Sequence, residues 1–208
     1  MRLEVLQERL RGIPHSGPET GAVLYRTVLE RGYRSCLELG FAHGVGTCYI
    51  AGALEAQGAG LVTAVDLPGA ERRQPRAADL LLELGLSARA ELVVSQSSYT
   101  WFLMSELERR DRSFDFCFLD GSHQWETDGL AVLLLERLID RGGMIVLDDL
   151  DWTFAASPTL RDSDRVRTMP EAERTTPQVR KVFELLLMGN PAFAEVHERD
   201  GLGFAVKA

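Results

Sequence analysis

The chain has 208 residues, 45% hydrophobic and 26% charged, which excludes a disordered or collagen-like protein and allows one full-sized domain without disulfide staples. Lys and Arg total 23 against 31 Asp and Glu, a formal charge of −8, which disfavours a general nucleic-acid binder because phosphate neutralisation needs a cationic surface. No stretch approaches the ~18 uninterrupted apolar residues of a membrane span, and the charged start MRLEVLQERLRGIP lacks a secretory apolar run, so a cytoplasmic single-domain protein spanning 1–208 is expected.

Residues 1–34 read as an N-terminal helical segment, in which Glu19–Arg31 carries Val23, Val28 and Leu29 on its apolar side and stops at Gly32. Ser35–Leu39 is a short strand ending at Gly40, Gly46–Gln57 a helix, and Gly60–Val65 a buried strand ending in Asp66. Ala77–Leu84 is helical, Ala90–Val94 a strand, Tyr99–Arg109 a helix, and Phe114–Leu119 a strand ending in Asp120. Gln124–Ile139 is a long amphipathic helix closed by Arg141-Gly142-Gly143, and Met144–Leu147 is a strand ending in Asp148 and Asp149. Five strand–helix units with short apolar strands indicate a parallel sheet covered on both faces, a doubly wound α/β fold. Residues 150–176 break the pattern with mixed charge and proline, and read as a structureless lid or insertion. Pro177–Met188 is helical, and Phe193–Glu198 and Leu202–Lys207 flank Arg199-Asp200-Gly201, an Asp-Gly turn that makes the C-terminus an antiparallel hairpin. Cys36, Cys48 and Cys117 form neither an even framework nor a CxxC pair and read as buried reduced thiols.

In open α/β sheets ligands sit beyond the carboxyl ends of the strands. Gly40, Asp66, Asp120, Asp148 and Asp149 all fall there. Asp is also a common turn and N-cap residue, which accounts for one or two of these positions but not for the set. The loop Gly40-Phe41-Ala42-His43-Gly44-Val45-Gly46 has GxxxGxG spacing, unlike the GxGxxG of a dinucleotide site, so a nicotinamide enzyme is only a remote reading. Asp66, ~20 residues after the last glycine, sits where a ribose-binding acid belongs, and with the glycine loop it implies an adenosine-containing ligand.

From Ser35 to Asp149 the chain resembles a class I S-adenosylmethionine-dependent methyltransferase: LELGFAHGVGT is similar to the first motif, which wraps the methionine part of the cofactor. The terminal helix and hairpin match that family's reversed seventh strand, implying a Rossmann-like seven-stranded sheet. SGPETGAVLY, FLDGSHQWE and IVLDDLDWT resemble segments of the cation-dependent O-methyltransferases, the catechol and caffeoyl-CoA type, and their DG-x-H…DD wording is closer still to the antibiotic-tailoring and sugar branch. The resemblance implies Glu38, Gly40, Phe41, Gly44, Asp66, Ser97, Ser98 and Asp120 as cofactor-binding residues and Asp120, Asp148 and Asp149 as metal ligands. Asp149 stands where the catechol and caffeoyl-CoA enzymes have Asn, and His123 where the catechol enzymes place a catalytic Lys.

Elementary chemistry runs parallel to the resemblance. Three carboxylates converging at adjacent strand ends repel one another unless a cation neutralises them, and hard oxygen ligands point to Mg²⁺. His123 is suited to take a proton from a substrate hydroxyl, and Asp120 joins it as a catalytic residue; capping the following helix or contacting the cofactor is the plainer role for His123. His43 reads as shaping the loop, His15 and His197 as surface residues, with His15 near enough to SGPE to face the site. Trp125 and Trp152, just after the two acidic motifs, wall a pocket or pack in the core. The expected function is Mg²⁺-dependent O-methylation of a phenolic, polyketide or sugar-bearing small molecule, with no nucleic-acid or membrane partner and with homodimerisation open. The alternatives are a metal-independent or N-methyltransferase, or a non-catalytic cofactor-binding protein.

Overall fold

The computed structural model describes residues 1–110 and 112–208. One sheet contains β1 (Ser35–Leu39), β2 (Leu61–Asp66), β3 (Ala90–Val94), β4 (Phe114–Leu119), β5 (Ile139–Leu147), β6 (Phe193–Arg199) and β7 (Leu202–Lys207) in the spatial order β3-β2-β1-β4-β5-β7-β6. The first five strands run parallel, and β7 lies antiparallel between β5 and β6. This is the doubly wound sheet with a C-terminal hairpin that the alternating apolar runs predict.

Helices cover both faces. On one side pack α1 (Leu3–Arg9), α2 (Pro18–Arg31), α3 (Val45–Gln57) and α4 (Ala77–Glu83); on the other pack α5 (Tyr99–Arg109) and α6 (Trp125–Leu138). Strand alternation sorts β1 between the two layers: Cys36 joins the first core, Leu37 and Leu39 the second. The three cysteines are buried and free, as expected. Among the described residues no helix is long and apolar enough to cross a membrane.

Several boundaries differ from the sequence reading. The N-terminal segment resolves into two helices, because Leu3, Leu6 and Leu10 find burial in the α1–α3 core that their short span does not advertise. β5 starts at Ile139, so Arg141-Gly142-Gly143 lies within a strand, across from a register shift between Phe114 and Phe116. Residues 150–176, expected as a lid or insertion, fold as turns followed by α7 (Asp164–Thr168) and α8 (Glu171–Thr175). Buried Leu150, Phe154 and Val166 anchor it, Ser163 caps α7 by accepting the Val166 N–H, and Ala155 N–H donates to the Arg174 carbonyl. After it, α9 (Gln178–Val182) continues as a π-helical turn over Phe183–Leu187 instead of one regular helix.

Candidate active site

The strand order reverses between β1 and β4, and the loops leaving those strands part to form a crevice at their carboxyl ends. Ladder bonding continues one residue beyond the strands: Gly40 N–H donates to Val65 O, Asp120 N–H to Leu39 O, and Asp148 N–H to Leu119 O. These bonds fix where the acidic side chains start. At Gly40 φ is +98°, and a Cβ would stand 2.2 Å from the Asp120 carbonyl oxygen. Both the left-handed backbone and the backbone collision require glycine, so Gly40→Ala is expected to lose about 3 kcal/mol or more of stability. Urea unfolding measures this, and a loss below ~1 kcal/mol would contradict the close approach of the two loops.

A cavity of about 720 Å³ opens over the crevice. Gly40, Ala42, Asp66, Ser97 and Ser98 line its β1–β3 side, and Asp120, His123, Asp149 and Trp152 its β4–β5 side. Asp66 clamps its own wall: one carboxylate oxygen accepts the Ala42 N–H at 2.7 Å and the other the Leu67 N–H at 2.6 Å. Ser98 is the N-cap of α5, accepting the Trp101 N–H, while Ser97 stands free to face a ligand.

Three residues expected to bind cofactor shape the loop from behind instead. Glu38 points to the α3 side of β1, where it is buried and accepts the Thr47 hydroxyl hydrogen bond. Burial drives its carboxyl up to about 8. Phe41 packs with Ala64, Ala70 and Ala77. Gly44, at φ +85°, lets α3 start against Ala77, whose Cβ would be 2.5 Å from an added side chain.

The β4–β5 side concentrates the titratable groups. Donor atoms of Asp120, His123 and Asp149 lie within 4.8 Å of one another. His123 Nε2 is 2.9 Å from Asp149 Oδ2 and 3.8 Å from Asp120 Oδ1. Its Nδ1 is 3.0 Å from the Gly121 carbonyl and its Nε2 faces the Asp149 carboxylate, both acceptors only, so both nitrogens carry protons and the ring is an imidazolium. Burial lowers the His123 pKa, but the Asp149 hydrogen bond and the Asp120 and Asp149 charges outweigh it and carry it to about 9. Burial, then the Asp148 charge, pushes Asp120 well above the usual carboxylate range.

Asp148 does not join this trio. It lines a recess with Asp120 and Asp149 as well as His15, Ser16, Gly17 and Thr20, and its Oδ1 accepts the Asp149 N–H at 2.8 Å. Burial, then the Asp149 charge, raises its carboxyl to about 6. The strand ends one residue too early for both acids to point the same way: Asp149 turns left-handed, at φ 55°. The geometry therefore adds His123 beside Asp120 and Asp149, while Asp148 stays at the same strand ends in the adjoining recess.

The other expectations divide. His15 reaches the cavity and stacks on His43 at 5.6 Å, with Arg73 Nη1 3.2 Å from its Nε2. Trp152 walls the cavity with its ring 4.7 Å from His123, whereas Trp125 lies outside it and donates its backbone N–H to Gln178. His197 is a surface residue stacked on Phe204. Sequence reasoning missed Ser16, which donates to Asp120 Oδ2 at 3.4 Å, and the buried Tyr99–Asp128 pair behind the site. A visible signal existed for Asp128, an acid on the Asp128–Ala131–Val132–Leu135 stripe that otherwise faces the core. Five of the seven non-glycine residues with positive φ among the described residues border this region: His15, Ser16, Ala42, His123 and Asp149. Such strain concentrates where surrounding structure holds reactive groups in place.

A family profile describing a methyltransferase domain matches residues 37–150, the stretch from β1 through the β5 acidic pair. No curated protein sequence matches the chain. Solved structures of the same fold include a Staphylococcus aureus protein described as a caffeoyl-CoA O-methyltransferase, 17% identical with a TM-score of 0.70 over 100% of this chain and 93% of that one. An O-methyltransferase from Bacillus cereus in complex with SAH is 19% identical, with a TM-score of 0.66 over 99% and 88%. The O-methyltransferase TomG from Streptomyces achromogenes, involved in tomaymycin synthesis and solved with SAM, is 20% identical, with a TM-score of 0.67 over 99% and 89%.

Proposed function

The chain belongs to the methyltransferase domain family, and from that premise we propose that it is an S-adenosylmethionine-dependent O-methyltransferase assisted by a divalent cation. The observation that carries this reading is the convergence of Asp120, His123 and Asp149 on one side of a cavity whose other side presents Gly40, Asp66 and Ser97. The second side suits the cofactor. Asp66 keeps lone pairs for a ribose diol beyond the two amides it binds, and Gly40 presents bare backbone.

The donor set fits a hard cation. Two carboxylates with a third close by, held in ionisation states that burial and mutual repulsion oppose, gain from any positive charge placed among them. Asp120 and Asp149 would hold Mg²⁺, with His123 or Asp148 next to it. When bound, the cation lowers the pKa of a substrate hydroxyl and the cofactor supplies an electrophilic methyl group. The chain's own residues do the rest. With Asp120 and Asp149 neutralised, the charges that keep His123 protonated would be gone, and the neutral ring takes the hydroxyl proton at Nε2 while Nδ1 stays on Gly121 O; the oxygen forms the new O–CH₃ bond as the S–CH₃ bond breaks, leaving a neutral thioether. Trp152 and the ordered 150–176 segment keep water from the reacting atoms, and the strand ends hold the partners in line.

One observation favours a second reading. The His123–Asp149 pair, with Nδ1 fixed by a carbonyl, is a charged pair that holds together without a metal and becomes an oriented general base once Nε2 gives up its proton. Chelation separates the two. Stripping divalent ions is expected to lower turnover by about 10²-fold or more while leaving S-adenosylhomocysteine binding within a few-fold, and added Mg²⁺ should restore it. Turnover is read by mass spectrometry as gain of one methyl group on phenolic and sugar acceptors. Full turnover in chelator would leave the metal-independent base as the mechanism, and absence of cofactor binding would sink both.

A further inference from the structure

Two buried polar side chains lie behind the site and have no part in the chemistry above. Tyr99, the first residue of α5, is 6% exposed, and Asp128, one turn into α6, is 1% exposed. The Tyr99 hydroxyl donates to Asp128 Oδ1 and accepts the backbone N–H of Ser122 at 3.1 Å. Burying a phenol against a carboxylate carries a desolvation cost that two apolar side chains of the same size would avoid, so packing alone does not call for the pair.

What the pair touches is the turn Gly121-Ser122-His123. Gly121 lies flat on the Tyr99 ring, where a Cβ would come within 2.5 Å of a ring carbon. His123 is left-handed, at φ 56°, a conformation that persists in a side-chain-bearing residue only when its surroundings impose it. That conformation swings the imidazole so that Nδ1 meets Gly121 O and Nε2 meets Asp149. The Ser122 amide between them is tied to the phenol. Asp128 takes the phenol's only hydrogen, which leaves the oxygen lone pairs facing Ser122.

We propose that Tyr99 and Asp128 are positioning residues for His123: through the Ser122 amide they hold the left-handed turn that aims Nε2 at Asp149 and the cavity. The inference rests on the reading of His123 as the proton acceptor, and its test reads the imidazole directly so that the two can fail separately. The four histidines are labelled with ¹⁵N, and His123 is assigned by its loss in His123→Gln.

At neutral pH the wild-type His123 spectrum is expected to show protons on both ring nitrogens, slow to exchange because Gly121 O and Asp149 hold them. Tyr99→Phe keeps the ring that supports Gly121 but removes both hydrogen bonds. It is expected to speed exchange of the His123 ring N–H protons and of the Ser122 amide about fivefold or more, the effect of losing one intramolecular hydrogen bond. Asp128→Ala should move both readouts the same way by less, and it carries the test alone if Tyr99→Phe does not fold. Asp128→Asn keeps an acceptor oxygen for the phenol and should stay near wild type. Unchanged ring N–H and Ser122 exchange in Tyr99→Phe and Asp128→Ala would overturn the proposal, as would an Asp128→Asn protein that behaves like Asp128→Ala. Calorimetry of S-adenosylhomocysteine on the wild-type chain tests the methyltransferase reading separately; absence of binding would remove that reading while the brace stood or fell on the spectra.

Discussion

Asp120→Asn is expected to cost the protein about 10²–10⁴-fold in methyl transfer while making the ligand-free fold more stable. The two effects share one cause. Asp120 sits at the tip of β4, its side chain only 14% exposed, with Asp148 and Asp149 as its nearest acids and His123 3.8 Å away. Its carboxyl is pushed far above the unfolded value of 3.8, first by burial and then by Asp148, so ionisation at neutral pH works against folding. An amide of the same shape removes that cost, and the Ser16 hydroxyl bond can be kept. It also removes the charge that a cation would neutralise and that helps hold His123 protonated. Each kcal/mol gained should appear as roughly 2–4 °C in the melting midpoint. Mg²⁺ should raise the midpoint of the wild-type chain and do little for the variant. Melting curves with and without Mg²⁺, beside turnover on an acceptor found by the mass screen, check all three statements. Equal Mg²⁺ stabilisation of both proteins would show that Asp120 does not hold the cation.

The same arrangement shows which parts of the molecule its sequence can reveal. β1 and β4 begin and end where the apolar runs do, because a strand covered on both faces has little freedom in composition and is bounded by charged or turn residues. Asp66, Asp120 and Asp149 were legible for a related reason: a strand end at a topological switch point can be located from the strand alone. Glu38 was misplaced because the direction of a side chain on β1 depends on which helix layer it meets, and the first motif's wording does not carry that. Asp148 and Asp149 are adjacent, and only the left-handed backbone at Asp149 separates the roles that two consecutive acids appear to share in one dimension. The fold of 150–176 was hidden because Phe154 and Val166 are buried although no helical or strand period in the sequence marks them. Tyr99 and Asp128 are 29 residues apart and gain meaning only through the Ser122 amide between them.

Glu38 supplies the second large effect, and it concerns pH. The side chain is 1% exposed, and burial, opposed in part by the Thr47 hydrogen bond, raises its carboxyl from 4.5 to about 8. Between those two values the folded chain holds a proton at Glu38 that the unfolded chain has released. Stability therefore falls as pH rises across that window, with a slope of up to about 1.4 kcal/mol per pH unit from this one group. Accumulated over the window the loss is on the order of 4 kcal/mol, a large part of the ~5–15 kcal/mol that holds a domain folded. Asp120 and Asp148 bend the curve in the same direction, so the absolute slope does not isolate Glu38; the difference from Glu38→Gln does. That variant is expected to match the wild type or fall about 1 kcal/mol below it near the acid end of the window, where both side chains are neutral and the extra amide hydrogens need acceptors. Above the window it should be the more stable protein by a few kcal/mol. Urea unfolding at both ends measures the crossover. A variant equally weakened at both would mean that Glu38 is ionised throughout and pairs with a charge the fold supplies. The crossover also bears on the cavity, because Glu38 faces Gly46 and bonds Thr47 in the first turn of α3. Charging it within the apolar layer loosens the turn that carries Gly40 and Ala42 to the ligand, so cofactor affinity should weaken with rising pH in the wild type and stay level in Glu38→Gln.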